Sequence, residues 1–390
     1  MKNRRVYLFG IVLVAINMRL PITAIPPVIS LLKTQLGLST SAAGWLTTIP
    51  LLTFALVSPL LAKLGVRYGN ERIILWLLSL LVLGSWLRVI PRTTALLFGT
   101  FLLAIGIDAA NVLLPASIKD RLPNQPTTGI ATYTTTMLVV GAIGTGIAGI
   151  MAQKFGLTAV MVLLAVIAIF SLLGWIPNSR LDNHYDHVIQ QLSLKQQRSV
   201  WNTSLGWLIA IFFGLQALVY YSLLTWLPQI FVAMGFHSVQ ASNLVTILQL
   251  ANLPFAFAVP YYSRFKNGVK IMNLALGIGF VGGIGIMWTG LHQFWIIAIA
   301  AILAGAAAGI AFNLAVVFFA EKSDSAKTTA DISGMAQSAG YVLAAAGPIA
   351  FGWIQKVTNS WTPVLIVAVV LSVALFVIGI MIEKRESVFE

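Results

Sequence analysis

Apolar runs of about twenty residues, the length that crosses a hydrocarbon core, follow one another along the chain with short polar turns between them. They fall near 7–32, 44–64, 72–91, 95–118, 127–152 and 157–177, and again near 204–233, 237–262, 270–290, 294–319, 330–355 and 361–382. The stretch at 178–203 (NSRLDNHYDHVIQQLSLKQQRSVWN) is the longest polar segment and separates six runs from six. The pattern predicts an all-α integral membrane protein of twelve transmembrane helices with both ends on one side. It divides into an N-terminal six-helix bundle over 1–177, a linker over 178–203 and a C-terminal six-helix bundle over 204–390. The basic start MKNRR leads into an apolar run that continues to Leu32 without a small-residue cleavage site, so the first span is expected to be retained.

Composition agrees with lipid as the main solvent: 58% of residues are hydrophobic, 9% are charged and the mean hydropathy is +0.91. A soluble domain carries about 25% charged residues. The net charge of +13 forms no stripe or block, which argues against a nucleic-acid partner. It follows topology instead. Eighteen of the 24 bases lie at the N-terminus, in the even-numbered loops or in the C-terminal tail. The odd-numbered loops hold Lys33, Arg88, Arg92, Lys154 and Lys356, and Arg19 lies inside a span. The bias predicts cytoplasmic termini and a cytoplasmic linker in a multi-pass protein of the cell membrane. There is no cysteine, so neither a disulfide framework nor a thiolate metal site is available. The HYDH string at 184–187 has metal-like spacing but sits in a polar loop without further ligands. No cofactor, metal or buried nucleophile–base pair is expected, which sets a membrane enzyme aside. Glycine-rich strings such as GAIGTGIAG and GIGFVGGIG suit close helix approach, not phosphate binding.

The two halves match at a nearly constant offset. Pro27 aligns with Pro228 and Pro59 with Pro260 at 201, and Asn111 aligns with Asn313 and Gln153-Lys154 with Gln355-Lys356 at 202. Six spans in each half give both the same orientation, so the repeat is parallel, about an axis along the membrane normal. That organisation resembles major facilitator transporters, with substrate near the midplane and spans 1, 4, 7 and 10 expected to line a central cavity.

The polar residues inside the spans gather in these helices. Arg19 sits near the middle of the first span, where a guanidinium costs at least about 2.5–3.5 kcal/mol on insertion scales unless it faces protein, water or a ligand. Asp108 lies at similar depth in the fourth span, with Asn111 and Pro115 at i+3 and i+7 on one face. Asp108 is read either as the counter-ion of Arg19 or as a proton-coupling carboxylate. Span 7 adds the i, i+4 pair Gln216 and Tyr220, with Tyr221 and Trp226 further along; span 10 adds Asn313, and span 11 Gln337 and Tyr341. Asn111 and Asn313 can also serve to bond neighbouring helices; the Gln and Tyr pairs are the better solute candidates, with helix packing the alternative for Tyr221 and Tyr341.

The strings NMRLPITAIPPVI, GIDAANVLLPASIKDRLP, FGLQALVYYSLLTWLPQIF and ISGMAQSAGYVLAAAGPIAFGW resemble the cyanate/2-nitroimidazole transporter (CynX/NimT-like) family of the major facilitator superfamily. The likeness runs from about residue 10 to 380. It implies alternating-access transport of a small anionic or weakly polar solute, and it points at Arg19, Asn111, Pro115, Lys119, Gln216, Tyr220, Trp226, Gln337 and Tyr341. The superfamily's loop after span 2 carries an acid that Val66-Arg67-Tyr68-Gly69 lacks; Glu71 could substitute in an inner-loop gate with Arg67, Arg72 and Lys119. Asp108 also departs from the pattern. The expectation is a monomeric secondary transporter with Arg19 at its solute site and a proton or exchanged anion as co-substrate. The alternative is an exporter of neutral, nitroimidazole-type compounds in which Arg19 and Asp108 form a structural ion pair.

Overall fold

The computed structural model describes residues 2–122, 126–179, 199–324 and 326–389. The apolar runs fold as helices, and no strand occurs among the described residues. In chain order they are α1 (Lys2–Thr23), α2 (Ile29–Leu36), α3 (Thr40–Tyr68), α4 (Asn70–Leu87), α5 (Thr93–Arg121), α6 (Pro126–Phe155) and α7 (Leu157–Ser179). Then come α8 (Ser204–Ala233), α9 (Ser238–Asn252), α10 (Phe255–Tyr262), α11 (Gly268–Trp288), α12 (Phe294–Glu321), α13 (Ala326–Thr358) and α14 (Thr362–Glu383). Two pairs make single spans. The first span is α1 plus α2, joined through the short 3-10 turn Pro26–Val28, because consecutive prolines remove two backbone donors. The eighth is α9 plus α10, interrupted ahead of Phe255, where Pro254 stands. The helices therefore supply twelve spans.

By length and hydropathy, ten candidate crossings stand out among the described residues. The other two spans have plain reasons to fall short: α9 and α10 are each too short alone, and α13 is long enough but polar along its first half, with Asp331, Ser333 and Gln337. The turn between α3 and α4 is one residue long, and Gly69 makes it with φ of 91°, a conformation glycine adopts without a Cβ penalty.

The helices group into two compact units. One contains Met1–Leu38 and Leu52–Gln197, the other Ser39–Leu51 and Arg198–Glu390. The second therefore takes the first turns of α3 as well as the C-terminal bundle, where a simple division at the linker was expected. Most of the linker, 180–198, and with it the HYDH string, lies outside the described residues.

Inside unit 1, α1 packs on α6 and α7, and α4 on α5 and α7. A Cβ on Gly84 would fall 2.5 Å from the Gly99 carbonyl, and one on Gly99 2.6 Å from the Gly84 carbonyl. Small residues thus bring α4 and α5 almost into backbone contact, the usual way membrane helices gain van der Waals packing. Inside unit 2, α8 packs along α13, with Gly214 against Gly340. α12 lies against α9 and α11.

Candidate functional site

In unit 1, α5 carries Asp108 on its buried side, 2% exposed. The Ser58 hydroxyl on α3 lies 2.8 Å from one carboxylate oxygen and 2.9 Å from the other. The same hydroxyl donates back to the Phe54 carbonyl at 2.6 Å, the i→i−4 bond that serine makes inside helices. The expectation of an Arg19–Asp108 ion pair is corrected here: among the described residues Asp108 forms no ion pair, and its hydrogen bonds go to Ser58. Arg19 is half-buried on α1. Asn111, one turn beyond Asp108, is exposed, so the shared face inferred from spacing passes from buried to open within a turn.

A second polar group lies at the end of unit 1 where α1 and α4 begin and α5 and α7 finish. Glu71, 5% exposed, stands in the first turn of α4, where the helix dipole favours an anion. Ser117 and Arg121 of α5 both donate to its Oε1 at 3.0 Å. The Ser117 proton is thereby used, so Tyr7 of α1 donates to the Ser117 oxygen at 2.6 Å. The Trp175 indole of α7 donates to the Glu71 backbone carbonyl at 3.0 Å. Four helices meet at one glutamate. Of the other expected gate residues, Arg67 and Arg72 are exposed, with the Arg67 guanidinium 5.1 Å from the centre of the Tyr68 ring. The side chain of Lys119 lies outside the described residues.

In unit 2, α8 is enclosed along most of its length. Gln216 is 3% exposed, and among the described residues its amide makes no hydrogen bond. Tyr220 and Tyr221 are buried, their rings edge to face at 5.2 Å. Trp226 is fully buried, donates its indole N–H to the Pro348 carbonyl at 2.9 Å and packs on Trp361. That indole therefore ties α8 to α13. Asn313 is half-buried and donates to the Gly309 carbonyl of its own helix at 2.8 Å. Gln337 is exposed and donates to Ser333 at 3.0 Å; Tyr341 is half-buried with its ring edge-on to Phe213. Gln216, Tyr220 and Tyr221 thus share one stretch of α8, while Asn313 sits on α12 and Gln337 and Tyr341 on α13.

Sequence reasoning missed Ser58, Ser117, Tyr7 and Trp175. A single hydroxyl or aromatic in an apolar helix gives no periodic signal, and the partners of Glu71 lie far from it in sequence.

No cluster of three or more metal-binding side chains occurs among the described residues. Residues 7–348 match the family model described as Major Facilitator Superfamily. The uncharacterized transporter YycB of Bacillus subtilis (strain 168) is 38% identical over 95% of this chain and 90% of its own. The 2-nitroimidazole transporter of Escherichia coli (strain K12) is 31% identical over 99% of this chain and 98% of its own. The cyanate transport protein CynX of the same strain is 24% identical, covering 91% of each. A mutant of the nucleoside transporter NupG superimposes with a TM-score of 0.75 at 15% identity, covering 97% of this chain and all of that one; this likeness concerns the fold alone.

Proposed function

The chain belongs to the Major Facilitator Superfamily and is a membrane transporter of a small solute, and within that frame we propose that it binds a small anionic or polar solute by alternating access as a monomer with cytoplasmic termini. Arg19 supplies the cation that holds the solute's negative end. In unit 2 the polar side chains offered to a solute are Gln216, Tyr220, Gln337 and Tyr341. A proton or an exchanged anion is the co-substrate.

The observation that carries this reading is the Gln216 amide. The residue is 3% exposed, yet neither polar atom of its amide is among the sealed, unpartnered ones of the described residues, so the amide stays open to a solute or to water. Tyr220, one turn along the same helix, adds an apolar ring with a polar tip.

The test is counterflow in proteoliposomes with labelled cyanate and labelled 2-nitroimidazole. Saturable counterflow of the anion that disappears in Arg19→Ala supports the proposal. Flux that neither saturates nor shows counterflow makes the protein a pore and ends it. A second reading, export of a neutral nitroimidazole-type compound, draws on the relative named a 2-nitroimidazole transporter. Under it, counterflow of 2-nitroimidazole persists in Arg19→Ala and falls in Gln216→Leu.

A further inference from the structure

We propose that a cavity at the end of unit 2 where α8 begins and α14 finishes binds a phosphate ester through Arg385, Ser199, Asn202 and Ser204, the headgroup of a membrane lipid being the source its surroundings favour. None of these residues belongs to the solute site above, so the inference stands apart from that reading.

The cavity has a volume of about 340 Å³, within the range that small ligands occupy. One wall comes from residues 199–205, which lead into α8, and the other from residues 385–389, which follow α14. The second wall is held in place by residues 322–324. Lys322, at the end of α12, donates its ammonium to the Arg385 carbonyl at 2.6 Å, and its own carbonyl accepts from the Val388 N–H at 3.0 Å. The Ser387 hydroxyl donates to Asp324 at 2.7 Å. Val388 is accordingly only 2% exposed.

The charge of the lining has one sign. Arg385 is its one charged residue, and among the described residues no acid lines it. Asp324 is engaged by Ser387 and shares its loop with Lys322; Glu383 and Glu386 flank Arg385 in sequence but not in the lining. The Arg385 guanidinium makes no hydrogen bond or ion pair among the described residues, and neither do the side chains of Ser199, Asn202 and Ser204. Thr203, by contrast, is occupied: its hydroxyl donates to the Val200 carbonyl at 2.7 Å and accepts from the Gly206 N–H at 3.1 Å. The unengaged groups are therefore a guanidinium on one wall and two hydroxyls and an amide on the other. A guanidinium presents paired N–H donors that match two oxygens of a phosphate. A tetrahedral group held in this way keeps a further oxygen for the opposite wall, whereas a carboxylate has both of its oxygens on the arginine.

The surroundings fit a lipid. Trp201 and Trp207 bracket the first wall with exposed rings. The rings meet edge to face at 5.8 Å, and the Trp207 indole donates to the Trp201 carbonyl at 2.9 Å. Exposed tryptophans collect at the membrane–water interface, the level of headgroup phosphates, where basic residues attract anionic lipid. Leu205, Val388 and Phe389 complete the lining and suit the glycerol carbons beside the phosphate.

The test is a titration of the full chain in detergent with dihexanoyl phosphatidylglycerol, dihexanoyl glycerol and glycerol 3-phosphate, read as the unfolding midpoint, which a ligand of the folded state raises. The midpoint should rise saturably with the phosphatidylglycerol and stay in place with dihexanoyl glycerol, which lacks the phosphate. In Arg385→Gln the concentration giving half the rise should increase about tenfold, the effect of losing a charge-assisted hydrogen bond. Ser204→Ala should increase it to a smaller extent. Lys384→Gln removes a neighbouring exposed base that does not line the cavity and should leave it unchanged. The Arg385 guanidinium is exposed and unengaged, so its loss leaves the fold intact. A rise with glycerol 3-phosphate at the same concentrations supports the phosphate site and gives it to a soluble ester. No saturable rise, an equal rise with dihexanoyl glycerol, or equal losses in Arg385→Gln and Lys384→Gln would overturn the inference.

Discussion

The two units are built on the same six-span plan, yet they bury different chemistry. Unit 1 encloses Glu71, Arg88 and Asp108; the polar side chains that unit 2 encloses, among the described residues, are uncharged, Gln216, Ser222, Thr225 and Asn273 among them. The repeat offset makes the divergence concrete. Asn111 keeps an asparagine partner in Asn313, but Asp108 falls opposite Ile310 and Arg19 opposite Tyr220. One copy of the repeat carries ionic groups where the other carries apolar or aromatic ones. Buried charge is expensive even when paired, so a half that need not handle charge gains by losing it. Unit 2 is held without buried charge, by hydroxyl bonds such as Thr225 to Thr47 at 2.8 Å and by close glycine contacts of the kind unit 1 also has.

The comparison is broken most directly at Glu71. Glu71→Ala removes the acceptor shared by Ser117 and Arg121 and takes one anion from beside the Arg121 cation. Loss of one partner from a buried pair costs about 3–5 kcal/mol, toward the lower end here because Arg121 is 23% exposed. The expected outcome is a marked drop in the unfolding midpoint in detergent. Tyr7→Phe takes one neutral hydrogen bond from the same group and should cost about 1–2 kcal/mol. Thr225→Val is the matching change in unit 2, with an expected loss of about 1 kcal/mol. Equal losses for Glu71→Ala and Thr225→Val would mean that buried charge does not distinguish the units.

These contrasts were only partly legible in the sequence. The spans were, because twenty apolar residues in a row have one common fate in a bilayer. The sequence did not reveal that the first span breaks at its prolines while α8 runs through Pro228. Side-chain partners were the illegible part. Glu71 read as a gate residue because it follows a familiar loop, but Ser117 and Arg121 reach it from 46 and 50 residues away. Trp226 read as a solute contact because the family resemblance points at it; its N–H goes to Pro348, a pairing that only the packing of α8 on α13 produces. Asp108 was visible as an anomaly, whereas Ser58 was one hydroxyl among many.

Gln216→Leu sharpens the comparison from the other side. The substitution replaces an amide that is not sealed from solvent by an apolar group of similar size, so stability should hold within about 0.5 kcal/mol. Counterflow should fall at the same time, chiefly through a higher KM. A variant that loses stability instead would give Gln216 a structural hydrogen bond and return the polar chemistry of unit 2 to packing.

The smallest effect is expected at Arg67, which separates a gate from a stabilising contact. Its guanidinium is exposed and rests beside the Tyr68 ring, an arrangement worth about 0.5–1 kcal/mol at exposed sites, and water screens much of what it adds to the fold. Arg67→Ala should therefore leave the unfolding midpoint within about 0.5 kcal/mol of native, as surface changes usually do. A gate residue acts on the rate of the conformational step, so the informative reading is the counterflow rate at saturating solute. A slower rate with an unchanged midpoint makes Arg67 part of the gate that Glu71, bound into four helices, is poorly placed to operate. If the midpoint falls as far as in Tyr7→Phe, Arg67 belongs with the fixed charge of unit 1, and the moving part of the loop has to be sought at Arg72.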